Sequence, residues 1–211
     1  MICLSIQNRN QLQALKKGKV GYVELRFDLL KESPAQLIPL LDKELKIIAT
    51  CRPGVLSEDE RIDIFRESIK LGATFVDIEI ETDEVTISSL KELGSHHNCE
   101  VIISWHNFSV TPGKAELLSI MERCYKKGGD VAKIASMVNS REDLLRLISL
   151  YEEPGRKVIL GMGKMAVITR VAAPLLGAEF TFASSSKSEE TAPGQLTIDE
   201  LLTMYKILNH A

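Results

Sequence analysis

Eight short runs rich in β-branched and other apolar residues recur along the chain, each set apart from the next by a longer stretch. Ile2 to Ile6, Val20 to Phe27, Lys46 to Cys51, Phe75 to Ile80, Val101 to His106, Val131 to Val138, Lys157 to Met162 and Phe180 to Ala183 read as strands. Several of the intervening stretches repeat apolar residues with helical spacing: Glu58 to Leu71 (Ile62, Ile64, Phe65, Ile69), Lys114 to Lys127 and Arg141 to Tyr151. A last helix, Ile198 to Leu208, follows the eighth strand. Strands separated by helices pair in parallel through right-handed crossovers, and eight such units can close on themselves. The expected fold is therefore α/β, a (β/α)8 TIM barrel forming a compact single domain over residues 1–211. An open doubly wound sheet would offer a glycine-rich turn after its first strand. Ser5-Ile-Gln-Asn-Arg-Asn10 offers none. The chain is short for a barrel, for which about 250 residues is typical.

Composition narrows the function. The formal net charge of -3 is spread over dispersed lysines, arginines and carboxylates, so neither a nucleic-acid footprint nor a membrane-surface patch is indicated, and a small-molecule partner is expected. Cys3, Cys51, Cys99 and Cys124 form no close pair and no zinc-like spacing; they read as reduced core thiols. The apolar start is too short for a signal peptide, and no run approaches the roughly 18 residues of a spanning helix. A cytoplasmic protein is expected. His96 and His97 are adjacent in sequence and so do not share a helix face, and no acidic partner is spaced for them, so no metal site is expected.

Lys133 lies in Asp130-Val-Ala-Lys-Ile-Ala-Ser-Met-Val138, an apolar run where an unpaired ammonium is costly to bury. One strand earlier, Val101-Ile-Ile-Ser-Trp-His106 ends in a histidine. An amine and a proton carrier at the ends of consecutive strands suit imine chemistry, and a barrel places its active site at those carboxyl ends. Glu24 and Arg26 alternate onto one face of the second strand, and Arg52 follows the third. Asp77 and Glu79 on the fourth read best as structural hydrogen-bond acceptors. The seventh leads through Gly161-Met-Gly163 towards Arg170. Several cations at one mouth would favour a neutral, nucleophilic lysine and an anionic substrate, with a bidentate arginine as the carboxylate clamp. After the eighth strand, the polar segment 183–195 is long enough for a lid and carries Thr191 and Gln195.

Seven segments in order resemble the type I 3-dehydroquinate dehydratases of the shikimate pathway: Glu24-Leu-Arg-Phe-Asp28, Thr50-Cys-Arg52, Asp77-Ile-Glu79, Ser104-Trp-His-Asn-Phe108, Val131-Ala-Lys-Ile-Ala135, the stretch from Met162 to Arg170, and Ala192-Pro-Gly-Gln195. The resemblance spans almost the whole chain, and that family's compact barrel accounts for the short length. It implies that Lys133 forms an imine with 3-dehydroquinate and that His106 is the general acid and base. Arg170 would hold the carboxylate, and Glu24, Arg26 and Arg52 the ring hydroxyls and the ketone side. Thr191 and Gln195 would close from the lid, and Ser5 matches a contact position on the first strand. It implies no cofactor, no metal, and a homodimer. A class I aldolase, which also forms a lysine imine, and a non-catalytic metabolite-binding barrel are the rival readings. Three departures stand out: Arg52-Pro-Gly-Val-Leu-Ser-Glu-Asp-Glu60 lacks the glutamate-glycine pair common after the strand-three arginine, leaving Glu58 or Asp59 as a substitute acid; Asn107 replaces a common aspartate; and Thr191 replaces a serine.

Overall fold

The computed structural model describes residues 1–15 and 19–208. The eight expected strands are all present: β1 (Ile2–Ile6), β2 (Tyr22–Arg26), β3 (Lys46–Thr50), β4 (Phe75–Glu79), β5 (Glu100–Asn107), β6 (Val131–Met137), β7 (Lys157–Met162) and β8 (Thr181–Ser184), joined by a two-residue β9 (Leu196–Thr197) at the end of the lid segment. All pair in parallel in one sheet, ordered β7-β6-β5-β4-β3-β2-β1-β8-β9. Between β7 and β8 the strands do not ladder; the backbone N–H of Glu179 donates to the Lys157 carbonyl at 3.0 Å across that seam.

The helices are α1 (Pro34–Leu37), α2 (Glu58–Lys70), α3 (Glu84–His97), α4 (Lys114–Lys126), α5 (Arg141–Ser149), α6 (Val167–Ala172) and α7 (Ile198–Leu208). Their starts are set by side-chain caps. Ser57 accepts from the Glu60 N–H, Asp83 from Thr86 and Ser140 from Asp143, supplying acceptors to first-turn donors that lack an intrahelical partner. Asn98, in the left-handed region at φ 56°, ends α3.

Helix-for-strand regularity fails in the first two units. After β1 stands only a 3-10 turn, Arg9–Ala14, among the described residues, and after β2 the one-turn α1 runs into a second 3-10 turn, Ile38–Leu40. Pro39 within that turn has no N–H to donate and its ring blocks a continuing helix. These abbreviated crossovers are where the barrel saves residues.

Alternation along each strand divides the core in two. Leu4, Val23, Leu25, Ile47, Ala49, Val76, Ile78, Val101, Ile103, Ala132, Ile134 and Ile159 pack outwards with the helices. Cys3, Tyr22, Ile48, Phe75, Ile102, Val131, Val158, Phe180 and Phe182 fill the interior. Two residues further along the same inward faces come Ser5, Glu24, Thr50, Asp77, Ser104 and Lys133, all buried. The interior thus has an apolar floor and a polar upper half, and burying that apolar floor is what holds the charged layer in place.

Candidate active site

Lys133 is 5% exposed, and its ammonium is enclosed by carboxylates. Nζ donates to Asp77 Oδ2 at 2.7 Å, lies 3.8 Å from Glu24 Oε1, and sits 4.3 Å above the centre of the Phe182 ring. This corrects the expectation of a lysine crowded by cations: Asp77 and Glu24 stand against it, and Arg52 lies on the far side of Asp77. Glu24 is itself fixed by hydroxyls, with Ser5 Oγ donating to Oε2 and Thr50 Oγ1 to Oε1 at 3.0 Å. Ser5 is therefore beneath the cavity, holding Glu24, and does not line it.

Asp77 is the hub. Both its oxygens accept from the Arg52 guanidinium at 3.0 Å, and one also accepts from Lys133. Burial opposes its charge, but Arg52, Lys133 and His106 outweigh burial and hold the carboxyl far below its usual range. Arg52 also donates to Ser104 Oγ at 2.9 Å and to Glu79 Oε1 at 2.5 Å. Burial works against its charge too, and Asp77, Glu79 and Glu24 more than compensate, raising its pKa. Arg26 forks onto Asp28, Nε to Oδ1 at 2.9 Å and Nη2 to Oδ2 at 2.6 Å.

His106 is on β5, in register with Ala135 on β6, and Ser104 two residues before it is in register with Lys133. Histidine and lysine therefore face the same interior from neighbouring strands. The ring lies near-parallel to Phe108, 13° between planes with centroids 6.3 Å apart. Burial, then Arg52 and Lys133, push its pKa well below the ordinary value, with Asp77 opposing, so at neutral pH the ring is an uncharged base. Asn107 does not adjoin it chemically: its Oδ1 accepts from the N–H groups of Ser109 at 2.9 Å and Val110 at 3.0 Å, turning the loop after β5.

Arg170 on α6 differs from the other arginines. It is 2% exposed, its Nε has no partner, and its guanidinium makes no hydrogen bond or ion pair among the described residues. Burial lowers its pKa to about 10, with Glu190 opposing. Burying a cation without a partner is costly, and a strongly perturbed titratable group in a cleft marks a candidate functional position. Gln195 shows the same signature: Oε1 accepts from the Thr191 N–H at 2.7 Å and from Thr191 Oγ1 at 2.9 Å, while Nε2 is buried without a partner.

These groups surround one cavity of about 460 Å³, bordered by Glu24, Arg26, Arg52, His106, Lys133, Arg170, Thr191 and Gln195 with the apolar Leu160, Met162 and Phe182. Of the expected site residues only Ser5 stands outside it. Phe182 and Ser104 are part of the site and were legible only as inward positions two residues from a neighbour on the same strand. Glu79 and Glu81 also border the cavity, whereas Glu58 and Asp59 do not; the Glu58 carboxylate pairs with Arg61 on α2. Gly161 is required by packing: a Cβ there would lie 2.5 Å from that of Ala166. The segment after β8 packs against the end of β7, with the Gly163 N–H donating to the Pro193 carbonyl at 2.9 Å. A Cβ on Gly194 (φ +77°) would fall 2.6 Å from the Gly163 carbonyl oxygen.

Buried, mutually perturbed titratable groups gathered at the carboxyl ends of parallel barrel strands place the chain among the α/β-barrel enzymes. A family model described as type I 3-dehydroquinase matches residues 3–211. A 3-dehydroquinate dehydratase of Methanocaldococcus jannaschii is 33% identical over 222 residues, covering 99% of this chain and 99% of the relative, and one of Dehalococcoides mccartyi is 31% identical over 218 residues, covering 99% and 96%. The crystal structure of 3-dehydroquinate dehydratase from Geobacillus kaustophilus superposes with a TM-score of 0.87 at 25% identity, over 99% of this chain and 91% of that one. The chain belongs to the type I 3-dehydroquinase family. Among the described residues, no helix is long and apolar enough to cross a membrane.

Proposed function

We propose that this enzyme dehydrates 3-dehydroquinate to 3-dehydroshikimate in the shikimate pathway through an imine on Lys133, with His106 as general base and acid. One observation carries the reading: a buried lysine and an uncharged histidine on adjacent strands, facing one cavity that also contains an unpaired arginine. The substrate carboxylate completes Arg170, which otherwise stands alone, and the free Gln195 Nε2–H donates to it or to a ring hydroxyl. Arg26 and Arg52, already committed to Asp28 and Asp77, supply positive field and shape more than new hydrogen bonds.

The Lys133 amine adds to the C3 carbonyl and one water leaves, giving the imine. Its C=N bond withdraws electrons from C2, so His106 can take a C2 proton and leave an enamine. The enamine electrons return and break the C1–O bond, and the hydroxyl departs as water with the proton from His106. A second water hydrolyses the imine, freeing Lys133 and the enone product, so that the net change is loss of one water. Phe182, Leu160 and Met162 give this chemistry an apolar wall.

The test is turnover of 3-dehydroquinate, followed as growth of the enone's near-ultraviolet absorbance, with borohydride added during the reaction. One ligand mass should be fixed on the peptide containing Lys133, and Lys133→Ala should abolish it. Absence of turnover, or a label on another lysine, rejects the assignment.

A further inference from the structure

From the Lys133 ammonium a continuous series of opposite charges runs outwards through the barrel mouth. Lys133 is bonded to Asp77, Asp77 to Arg52, Arg52 to Glu79 Oε1 at 2.5 Å, and Glu79 Oε2 to Arg61 Nη2 at 2.6 Å. Arg61 is on α2, outside the strands, yet it is 3% exposed. Its Nε donates to the Cys51 carbonyl at 2.8 Å, at the end of β3, and its Nη1 pairs with Glu58 at the start of its own helix. The guanidinium thus fastens the carboxyl ends of β3 and β4 together from behind. Glu79 spends one oxygen on each arginine, so its orientation, and with it that of Arg52, depends on both. Arg61 itself does not border the cavity.

We infer that Arg61 is a positioning residue for the reaction, holding Glu79 and through it the Arg52 guanidinium in the geometry that Asp77 and Lys133 require. The inference rests on the roles given above to Lys133 and His106. Site groups fixed before the substrate arrives need no reorganisation during the reaction, and displacement of about 1 Å costs on the order of 100-fold in rate. Glu79 without Arg61 is a carboxylate with half its pairing gone. It is free to turn towards the cavity, drawing Arg52 with it. His106 would feel that change: the charged groups acting on its ring are Arg52 just after β3, Asp77 from β4, Lys133 from β6 and Arg26 from β2, with Glu24, Glu79, Glu81 and Arg170 also on the cavity wall.

The test compares wild type with Arg61→Gln, which removes the charge, and Arg61→Lys, which keeps the charge and loses the fork. In Arg61→Gln, kcat/KM should fall by on the order of 10- to 100-fold, and the His106 ring, followed by NMR and assigned with a His106→Gln control, should titrate at higher pH than in wild type. In Arg61→Lys the ring should titrate as in wild type while kcat/KM still falls. A lowered melting temperature with unchanged kcat/KM and unchanged titration in Arg61→Gln would show only a structural staple and overturn the inference. So would a rate loss with the titration unmoved in Arg61→Gln, or wild-type kcat/KM in Arg61→Lys, which serves alone if the glutamine variant does not fold. The ring titration does not depend on turnover: a wild type inactive on 3-dehydroquinate rejects the reaction assigned above, while an unmoved ring in Arg61→Gln rejects the role of Arg61.

Discussion

Replacing Arg170 with methionine should stabilise the protein while removing its function. The guanidinium is 2% exposed and its Nε has no partner. Its pKa falls from 12.5 to about 10, chiefly through burial; at about 1.4 kcal/mol per pH unit, the charged form is disfavoured in the fold by about 3 kcal/mol. Because the pKa of this base is depressed, that cost is fully present at neutral pH and is relieved only as pH rises towards and beyond about 10. Methionine has a similar reach and no charge, so Arg170→Met should recover part of the cost. Water entering the cavity solvates the arginine, which makes about 3 kcal/mol an upper bound. For a chain of this size each kcal/mol moves Tm by roughly 2–4 °C, so a rise of several degrees is expected. Thermal unfolding of both proteins, with and without product, is the assay: product should raise the wild-type Tm and leave that of Arg170→Met unchanged. A variant less stable than wild type, or one still stabilised by product to the same extent, would refute the view of Arg170 as a cation held in reserve for an anion.

Three further outcomes follow from the same geometry. His106 has its pKa lowered by burial, Arg52 and Lys133, so kcat/KM should hold as pH falls through 6.5 and decline only below it, and His106→Ala should lose about 100-fold to 10,000-fold in elimination; a pH-rate profile breaking at or above 6.5 contradicts this. Gly194→Ala should prevent the lid from seating, because its Cβ would meet the Gly163 carbonyl oxygen at 2.6 Å; KM should rise with the fold intact by circular dichroism, and product should no longer protect residues 184–195 from proteolysis. Asp77→Asn removes the carboxylate that Lys133 and Arg52 share, leaving Arg52 its pair with Glu79 and Lys133 only Glu24 at 3.8 Å, and urea unfolding should show a loss of up to about 3–5 kcal/mol, the usual upper result of removing one partner of a buried pair.

Much of this molecule was legible before any contact was known. Alternation of β-branched runs with 3.6-periodic stretches gives parallel strands and a barrel, and Lys133 and His106 stand out because a charged or titratable residue inside an apolar strand needs a reason to be there. Arg170 and Gln195 were reachable through resemblance. What they lack could not be read in the same way, since an unpaired nitrogen is a property of everything around it. The environment of Lys133 was misread for that reason: the list of cations near the strand ends was right, but Asp77 and Glu24 project from two other strands into the space between, and which residues share an interior layer depends on strand register. Arg61 was invisible as a site residue, being one polar position in an amphipathic helix. Sequence periodicity determined the order of elements and which side of each strand faces inwards, because those follow from local backbone geometry. Curling of the sheet, a long-range result of strand twist and core packing, decided which inward residues meet; the charge series from Lys133 to Arg61 joins five residues from β6, β4, the end of β3, β4 again and α2, and only the closed fold brings them within bonding distance.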